Sequence, residues 1–441
     1  MEQEYLSDDV FEQIKDFDRY NLTKKQKLLI DKLILNKELK YRYKDYGLCK
    51  ECKQPNTGYY WCNVCNVKRF QQNFNNWSSG NDNIDKFIQD AQLSANKYNV
   101  LEWIPYDRFY DIEYIAKGGF GKVYKANWID GHILYWDNKN QNWSRPHHNK
   151  EVALKSLNNS KNVRLEFINE ITFHHRLNRD FRYTSIIRLY GITQDPDTKN
   201  YMMVLDYAKN GSLRNYLDKS YDKLSWETKI NDLYWIAYGL DEIHTNNLIH
   251  RDLHIGNILY NYDPYITDMG LCKPADYNAL ENTKKSVYGV LPYIAPEILR
   301  GQNYTKAADI YSFGIIMYET ISGLPPYHDI SHDINLAMKI CQGLRPTFNI
   351  KVPQLIVHLI KRCLDANPLN RPSASEMKDI LNPWRRLLNF NNLPEPKNSD
   401  DYYKQYDNII STKYSESIRI DFTQLKINDD QNNESKINDK I

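Results

Sequence analysis

One octapeptide limits the choice of fold more than any other stretch of this chain: His250-Arg251-Asp252-Leu253-His254-Ile255-Gly256-Asn257. A carboxylate and an amide five positions apart, beside a glycine, read as a loop rather than as a face of a helix or strand. From such a loop Asp252 and Asn257 can approach one cleft from two sides. The carboxylate can take a proton from an attacking hydroxyl, and the amide oxygen can bind a magnesium ion. Thr267-Asp268-Met269-Gly270 follows and adds a second carboxylate next to a flexible glycine. Magnesium prefers one or two protein carboxylates together with substrate phosphates, so the two loops suit one ion-binding cleft.

Upstream lies Ile115-Ala116-Lys117-Gly118-Gly119-Phe120-Gly121-Lys122-Val123. Glycines let a strand turn press its backbone N–H groups onto phosphate oxygens, although a plain tight turn explains such a cluster equally well on its own. Val152-Ala153-Leu154-Lys155 reads as an apolar strand ending in a lysine that can reach those phosphates. Fifteen residues on, Glu170 sits in a helical pattern and can hold the Lys155 ammonium, with Glu166 one turn away as its rival. Ala295-Pro296-Glu297 completes the set.

In this order and at these intervals the motifs resemble the protein-kinase family over roughly residues 108–386, and Gly211-Ser212-Leu213, Ile310-Tyr311-Ser312-Phe313-Gly314 and Asn370-Arg371-Pro372 are most similar to its tyrosine-kinase-like group. The resemblance implies an α+β, bilobal protein-kinase fold within residues 105–388, with a strand-rich small lobe (108–206) and a helical large lobe (211–386) sandwiching ATP. It implies catalytic roles for Lys155, Glu170, Asp252, Asn257 and Asp268, the last two holding Mg2+. Ile115, Ala116, Gly118, Gly119, Phe120, Gly121, Val123, Ala153, Lys155 and Leu259 would surround the nucleotide. Leu205 would be the gatekeeper, and Asp206-Tyr207-Ala208 the hinge that reads adenine. Asp309 matches the buried aspartate that anchors the catalytic loop, and Glu297 would pair with Arg371. The implied activity is transfer of the γ-phosphoryl of ATP to a protein hydroxyl, serine or threonine favoured. An ATP-binding pseudokinase scaffold and a tyrosine or dual-specificity enzyme are the alternatives.

Several positions depart from the family pattern. Ala116 replaces the first glycine of the phosphate loop, and Met269 replaces a phenylalanine. His254 and Val290 stand where serine/threonine kinases place a lysine and a threonine, which leaves the acceptor residue open. His254 is expected to donate to phosphate when protonated, because histidine titrates near neutrality. Thr283, Ser286 and Tyr288 lie in a segment that phosphate can order against Arg251.

The seven cysteines are an odd number, and four crowd into residues 49–65. That pattern does not fit a secreted disulfide framework. Cys49, Cys52, Cys62 and Cys65 form two CxxC pairs that can supply a tetrahedral structural zinc site, with a redox dithiol pair as the alternative. A small zinc-ribbon or knuckle-like module is expected over 46–70. A charged helical extension is expected over 1–45 (stripe Leu28, Leu29, Leu33, Leu35), a linker and helix over 71–104, and a mostly disordered tail over 389–441. The tryptophan-rich stretch 127–150 is expected to fold as a hairpin packed on the small lobe.

The 58 basic and 56 acidic residues balance to +2, which makes nucleic acid an unlikely partner. No apolar stretch approaches the ~20 residues of a membrane helix, and the acidic start lacks a signal-peptide pattern. The expectation is a cytoplasmic protein with ATP and a protein substrate as ligands, and an unknown protein partner for the N-terminal region.

Overall fold

The computed structural model describes residues 5–117, 121–157, 160, 163, 165–177, 184–275, 286–387 and 418–421. Three short helices come first: α1 (Asp8–Ile14), α2 (Lys24–Leu33) and α3 (Lys37–Tyr46). Each starts at a side chain that accepts from the first turn (Ser7, Thr23 and Asn36), the usual cure for unpaired N-terminal N–H groups. Their common core is Leu6, Ile14, Ile30, Ile34, Leu39 and Tyr43. The apolar stripe read from the sequence is therefore displaced. Leu28 and Leu35 are 70% and 73% exposed, because α2 stops at Leu33 and turns Ile30 and Ile34 inward.

Next come α4 (Asn63–Asn73) and α5 (Asp82–Leu93). The cysteine module does not close at residue 70, since α4 carries Cys65 in its first turn and continues to Asn73. The Asn/Ser/Gly-rich stretch after it is packed: Ser79 is buried, and Tyr201 Oη donates to its carbonyl at 2.9 Å.

Short β-branched and aromatic runs then pair into a six-stranded sheet of β1 (Glu102–Trp103), β2 (Phe109–Lys117), β3 (Gly121–Trp128), β6 (Lys150–Leu157), β7 (Leu189–Gln194) and β8 (Tyr201–Asp206), in the order β1-β7-β8-β6-β3-β2. The sheet thus begins before residue 105, with β1 parallel to β7. Between β3 and β6, β4 (Tyr135–Asp137) and β5 (Asn142–Ser144) form the expected hairpin. Its Trp143 stacks on Trp61 and Phe70, at 5.9 Å and 4.8 Å between ring centroids, so the hairpin leans on the cysteine module. Among the described residues the long helix of this lobe is α6 (Leu165–Leu177).

The second lobe is helical: α7 (Leu213–Ser220), α8 (Trp226–Thr245), α9 (Pro296–Leu299), α10 (Lys306–Ser322), α11 (Ile334–Cys341), α12 (Gln354–Cys363) and α13 (Ala374–Leu387). α10 is apolar nearly all round and lies in the middle, as a helix without a polar face must. Short strands β9 (Leu248–Ile249), β10 (Ile258–Tyr260), β11 (Pro264–Ile266) and β12 (Lys273–Pro274) carry the loops that face the first lobe. Most of the tail read as disordered lies outside the described residues. Within it, β14 (Ile418–Asp421) pairs antiparallel with β13 (Ser286–Gly289).

Candidate active site

Lys155 lies on β6, whose register opposite β3 and β8 places it beside Val123 and Met203. Its ammonium is 2.8 Å from Glu170 Oε1 and 2.9 Å from Asp268 Oδ1. Burial opposes the charge on Lys155, but the two carboxylates outweigh it and raise the lysine pKa, so it stays an ammonium. The same ammonium holds Asp268 below its ordinary value against the opposing effect of burial. Of the two carboxylates proposed from the sequence as partners of Lys155, Glu170 meets it, while the Glu166 side chain lies outside the described residues.

The octapeptide follows β9, held by one buried residue of α10. Asp309 accepts from the backbone N–H of His250 at 2.8 Å and of Arg251 at 3.0 Å, and lies 2.9 Å from His244 Nε2. These contacts fix Arg251 at φ 71°, a left-handed conformation costly for a residue with a Cβ. The loop thereby presents the Asp252 side chain toward Gly289. A Cβ at Gly289 would fall 3.3 Å from Asp252 Oδ1, a tight contact, and its φ of +133° is one that residues with a Cβ rarely adopt.

Asn257 Nδ2 donates to the Asp252 carbonyl at 2.9 Å, which fixes the orientation of the amide. The β10–β11 ladder pairs Ile258 with Ile266, and Thr267 N donates to Asn257 O at 2.9 Å. Asn257 and Asp268 therefore leave the same end of one two-stranded ribbon. An amide oxygen and a carboxylate so placed fit a hard divalent cation that keeps most of its shell as water and phosphate oxygen. Asp268 itself has φ 63°, and Met269 beside it is buried in the core of the second lobe.

Val123, Ala153, Leu205 and Leu259 share one apolar cluster with Tyr207, and Ala208 is buried beside it. Asp206 ends β8 and pairs with Lys150 at 2.9 Å. Ile115 and Ala116 are exposed where β2 bulges against β3, and Gly121 opens β3. Gly118, Gly119 and Phe120 lie outside the described residues, as does Thr283. Ser286 and Tyr288 belong to the backbone of β13, and Arg251 is stacked over Tyr304 at 4.6 Å.

His254 differs from its sequence expectation. It is buried, its Nδ1 accepts from Gly256 N at 3.1 Å, and its Nε2 is 3.9 Å from Asp252 Oδ2. Burial pushes its pKa down to about 4, although Asp268 works in the opposite direction. The ring is neutral at physiological pH, with its remaining proton on Nε2. Its folded pKa lies below the unfolded value of about 6.5, so its contribution to stability is present above that pH and is lost as pH falls toward 4. The acid limbs of pH–rate profiles for the wild type and His254→Lys are therefore expected to coincide above about pH 5; separated limbs near neutrality would overturn this.

Away from the cleft, the four module cysteines bring their sulfurs within 4.8 Å of one another. Cys49 and Cys52 flank a tight turn closed by Lys53 N donating to Cys49 O at 3.0 Å, while Cys62 caps α4. The Cys49–Cys65 and Cys52–Cys62 sulfur pairs are 3.7 Å and 3.5 Å apart. Four thiolates ~2.3 Å from a tetrahedral zinc lie about 3.8 Å from each other, so this donor set fits that ion.

Residues 111–381, more than half of the chain, match the protein tyrosine and serine/threonine kinase family. The chain belongs to that family. Among similar proteins, one described as a probable serine/threonine-protein kinase of Dictyostelium discoideum is 29% identical over 293 residues, covering 63% of this chain and 15% of that protein. A second from the same organism is 30% identical over 322 residues, covering 68% of this chain and 10% of that protein. A tyrosine-protein kinase of Girardia tigrina is 28% identical over 308 residues, covering 67% of this chain and 55% of that protein. The chain thus spans a small part to about half of the length of these relatives. The strand-rich lobe and the helical lobe are the two lobes of the kinase fold.

Sequence reasoning missed His244 as a support of the kinase's catalytic loop. No spacing marks it, because its link to His250 and Arg251 runs through Asp309 on a helix more than sixty residues away. It also missed the buried group of Arg214, Glu319 and Tyr293, in which Arg214 Nη1 is 2.6 Å from Glu319 and Tyr293 Oη donates to the same carboxylate. Among the described residues no helix is long and apolar enough to cross a membrane.

Proposed function

We propose that this kinase domain transfers the γ-phosphoryl of ATP to a protein hydroxyl, with serine or threonine favoured. The reading is carried by the Lys155 ammonium held between Glu170 and Asp268, with Asn257 at the same end of the β10–β11 ribbon as Asp268 and bonded to the backbone of Asp252. Lys155, held by Glu170, orients the nucleotide phosphates, and Val123, Ala153, Leu205 and Leu259 enclose the adenine. Asp252 orients the acceptor hydroxyl and receives its proton. Asn257 and Asp268 would hold Mg2+, which supplies charge neutralisation at the transferring phosphoryl. Positioning and electrostatics account for most of the rate in such chemistry, which needs little covalent help from protein. The serine/threonine preference is supported by the names of the Dictyostelium relatives, while the Girardia tigrina relative keeps tyrosine open. Full-length protein incubated with γ-labelled MgATP and mixed serine, threonine and tyrosine acceptors should transfer label mainly to serine and threonine. Nucleotide binding without any transfer would favour the scaffold alternative.

The four-cysteine module is read as a structural zinc site in the same cytoplasmic protein, not as a nucleic-acid reader. Support comes from the sulfur spacing, which matches that of four thiolates around one ion. Elemental analysis should find one zinc per chain, and Cys62→Ser should lower that to well under one. Unchanged zinc content in the variant would rule the site out.

A further inference from the structure

α5 packs where it can govern Glu170. Ile84, Ile88 and Ala91 of α5 share one buried core with Phe167 and Ile171 of α6, the helix that carries Glu170. Phe87 meets His175 of α6 edge to face, with ring centroids 6.1 Å apart. His175 Nε2 lies 3.1 Å from the carbonyl of Asn99, in the segment that follows α5. Gln92 Nε2 donates to Leu101 O at 2.8 Å, which ties the end of α5 to the approach to the sheet. α6 is thus held from the N-terminal side by aromatic, apolar and polar contacts that catalysis itself does not require.

The same segment continues without a gap to the cysteines. Ala95 and Val100, which follow α5, lie in one cluster with Trp61, Phe70 and Ile133. Phe70 is on α4, whose first turn contains Cys65, and Trp61 immediately precedes Cys62. Trp143 of the β4–β5 hairpin stacks on both Trp61 and Phe70 and closes this cluster from the small-lobe side. Packed cores transmit displacement because they have little empty space in which to absorb it.

We infer that the N-terminal segment is an internal brace for α6, and that the four-cysteine module stiffens the brace. Loss of metal at the cysteines therefore loosens the Lys155–Glu170 pair and weakens ATP orientation at a distance. Phe87, Trp143 and the module act as positioning groups and touch no reacting atom. The inference rests on the phosphoryl-transfer reading, so its test needs a readout that does not depend on turnover.

Amide hydrogen exchange over residues 165–177 of the full chain provides that readout, alongside the KM for ATP. Phe87→Ala, Trp143→Ala and Cys62→Ser should each speed exchange across α6 by about tenfold and raise the KM for ATP by a similar factor. Phe87→Tyr, which keeps the edge contact, should restore both. Phe87 and Trp143 are only partly buried, so these two variants remain informative if the cysteine variant loses its fold. Exchange across α6 unchanged in both aromatic variants would overturn the brace. Faster exchange after Phe87→Ala, with none after Cys62→Ser or Trp143→Ala, would overturn the role of the module. Should the wild type transfer no phosphate, the exchange result still decides the brace, and only the phosphoryl-transfer reading falls.

Discussion

Asp252→Asn is expected to lower kcat by about 10²–10⁴-fold while leaving nucleotide affinity and thermal stability near wild type. The substitution keeps the shape of the side chain and removes its capacity to accept a proton. The loop itself is held from elsewhere: Asp309 fixes the backbone of His250 and Arg251, and Asn257 donates to the Asp252 main-chain carbonyl. Structural damage and chemical damage are therefore separable at this position. Lys155, Glu170 and Asp268 remain to bind ATP, so a fluorescent nucleotide should titrate with unchanged Kd. The measurement is label transfer under saturating MgATP beside a melting curve. Transfer within a few-fold of wild type would remove Asp252 from the chemistry. A large fall in Tm would show that the carboxylate supports the fold instead.

Arg371→Ala should produce the largest loss of stability, about 3–5 kcal/mol. Arg371 donates to both oxygens of Glu297, at 2.6 Å and 2.8 Å, and also to the carbonyls of Asp365 and Ala307. Both side chains are buried. Truncating the arginine leaves the Glu297 carboxylate desolvated without its partner and frees two carbonyls joined to different parts of the large lobe. Breaking one side of a buried pair costs far more than the pair contributes relative to an apolar replacement. Urea unfolding should therefore show a marked fall in midpoint for Arg371→Ala and Glu297→Ala. The double variant should be less destabilised than the sum of the two, because neither charge is then stranded. Strict additivity would show that the two residues act independently despite their geometry.

Lys155, Asp252 and Asp268 stood out in the sequence because each carries a local mark: a lysine ending an apolar strand, a carboxylate in a loop, a carboxylate beside a glycine. The pairing of Glu297 with Arg371 was legible for a similar reason, since two short motifs mark it. Supports that depend on distant partners were not. His244 acts only through Asp309, and Glu319 only through Arg214 and Tyr293; nothing in their neighbouring residues reports those contacts. The His254 expectation failed on the same ground. A free imidazole titrates near neutrality, and only burial behind the catalytic loop carries it down to about 4.

The N-terminal third shows a similar division. The two CxxC pairs raise the expectation of a metal-binding module by spacing, and the fold brings their sulfurs within 4.8 Å of one another, yet the apolar stripe of α2 was misread because the helix ends at Leu33 and the following turn sends Ile34 inward. The insert was legible as a hairpin, whereas its contact with Trp61 and Phe70 was not, because stacking partners far apart in sequence leave no periodic trace. The sequence alone determined which side chains this protein offers for phosphate and metal chemistry, since residue type and short spacing set intrinsic chemistry. Tertiary structure alone decided that Glu170 meets Lys155, which protonation state His254 holds, and that the helix bearing Glu170 rests on α5. Those outcomes depend on burial and on contacts across long sequence separations, which a linear pattern does not contain.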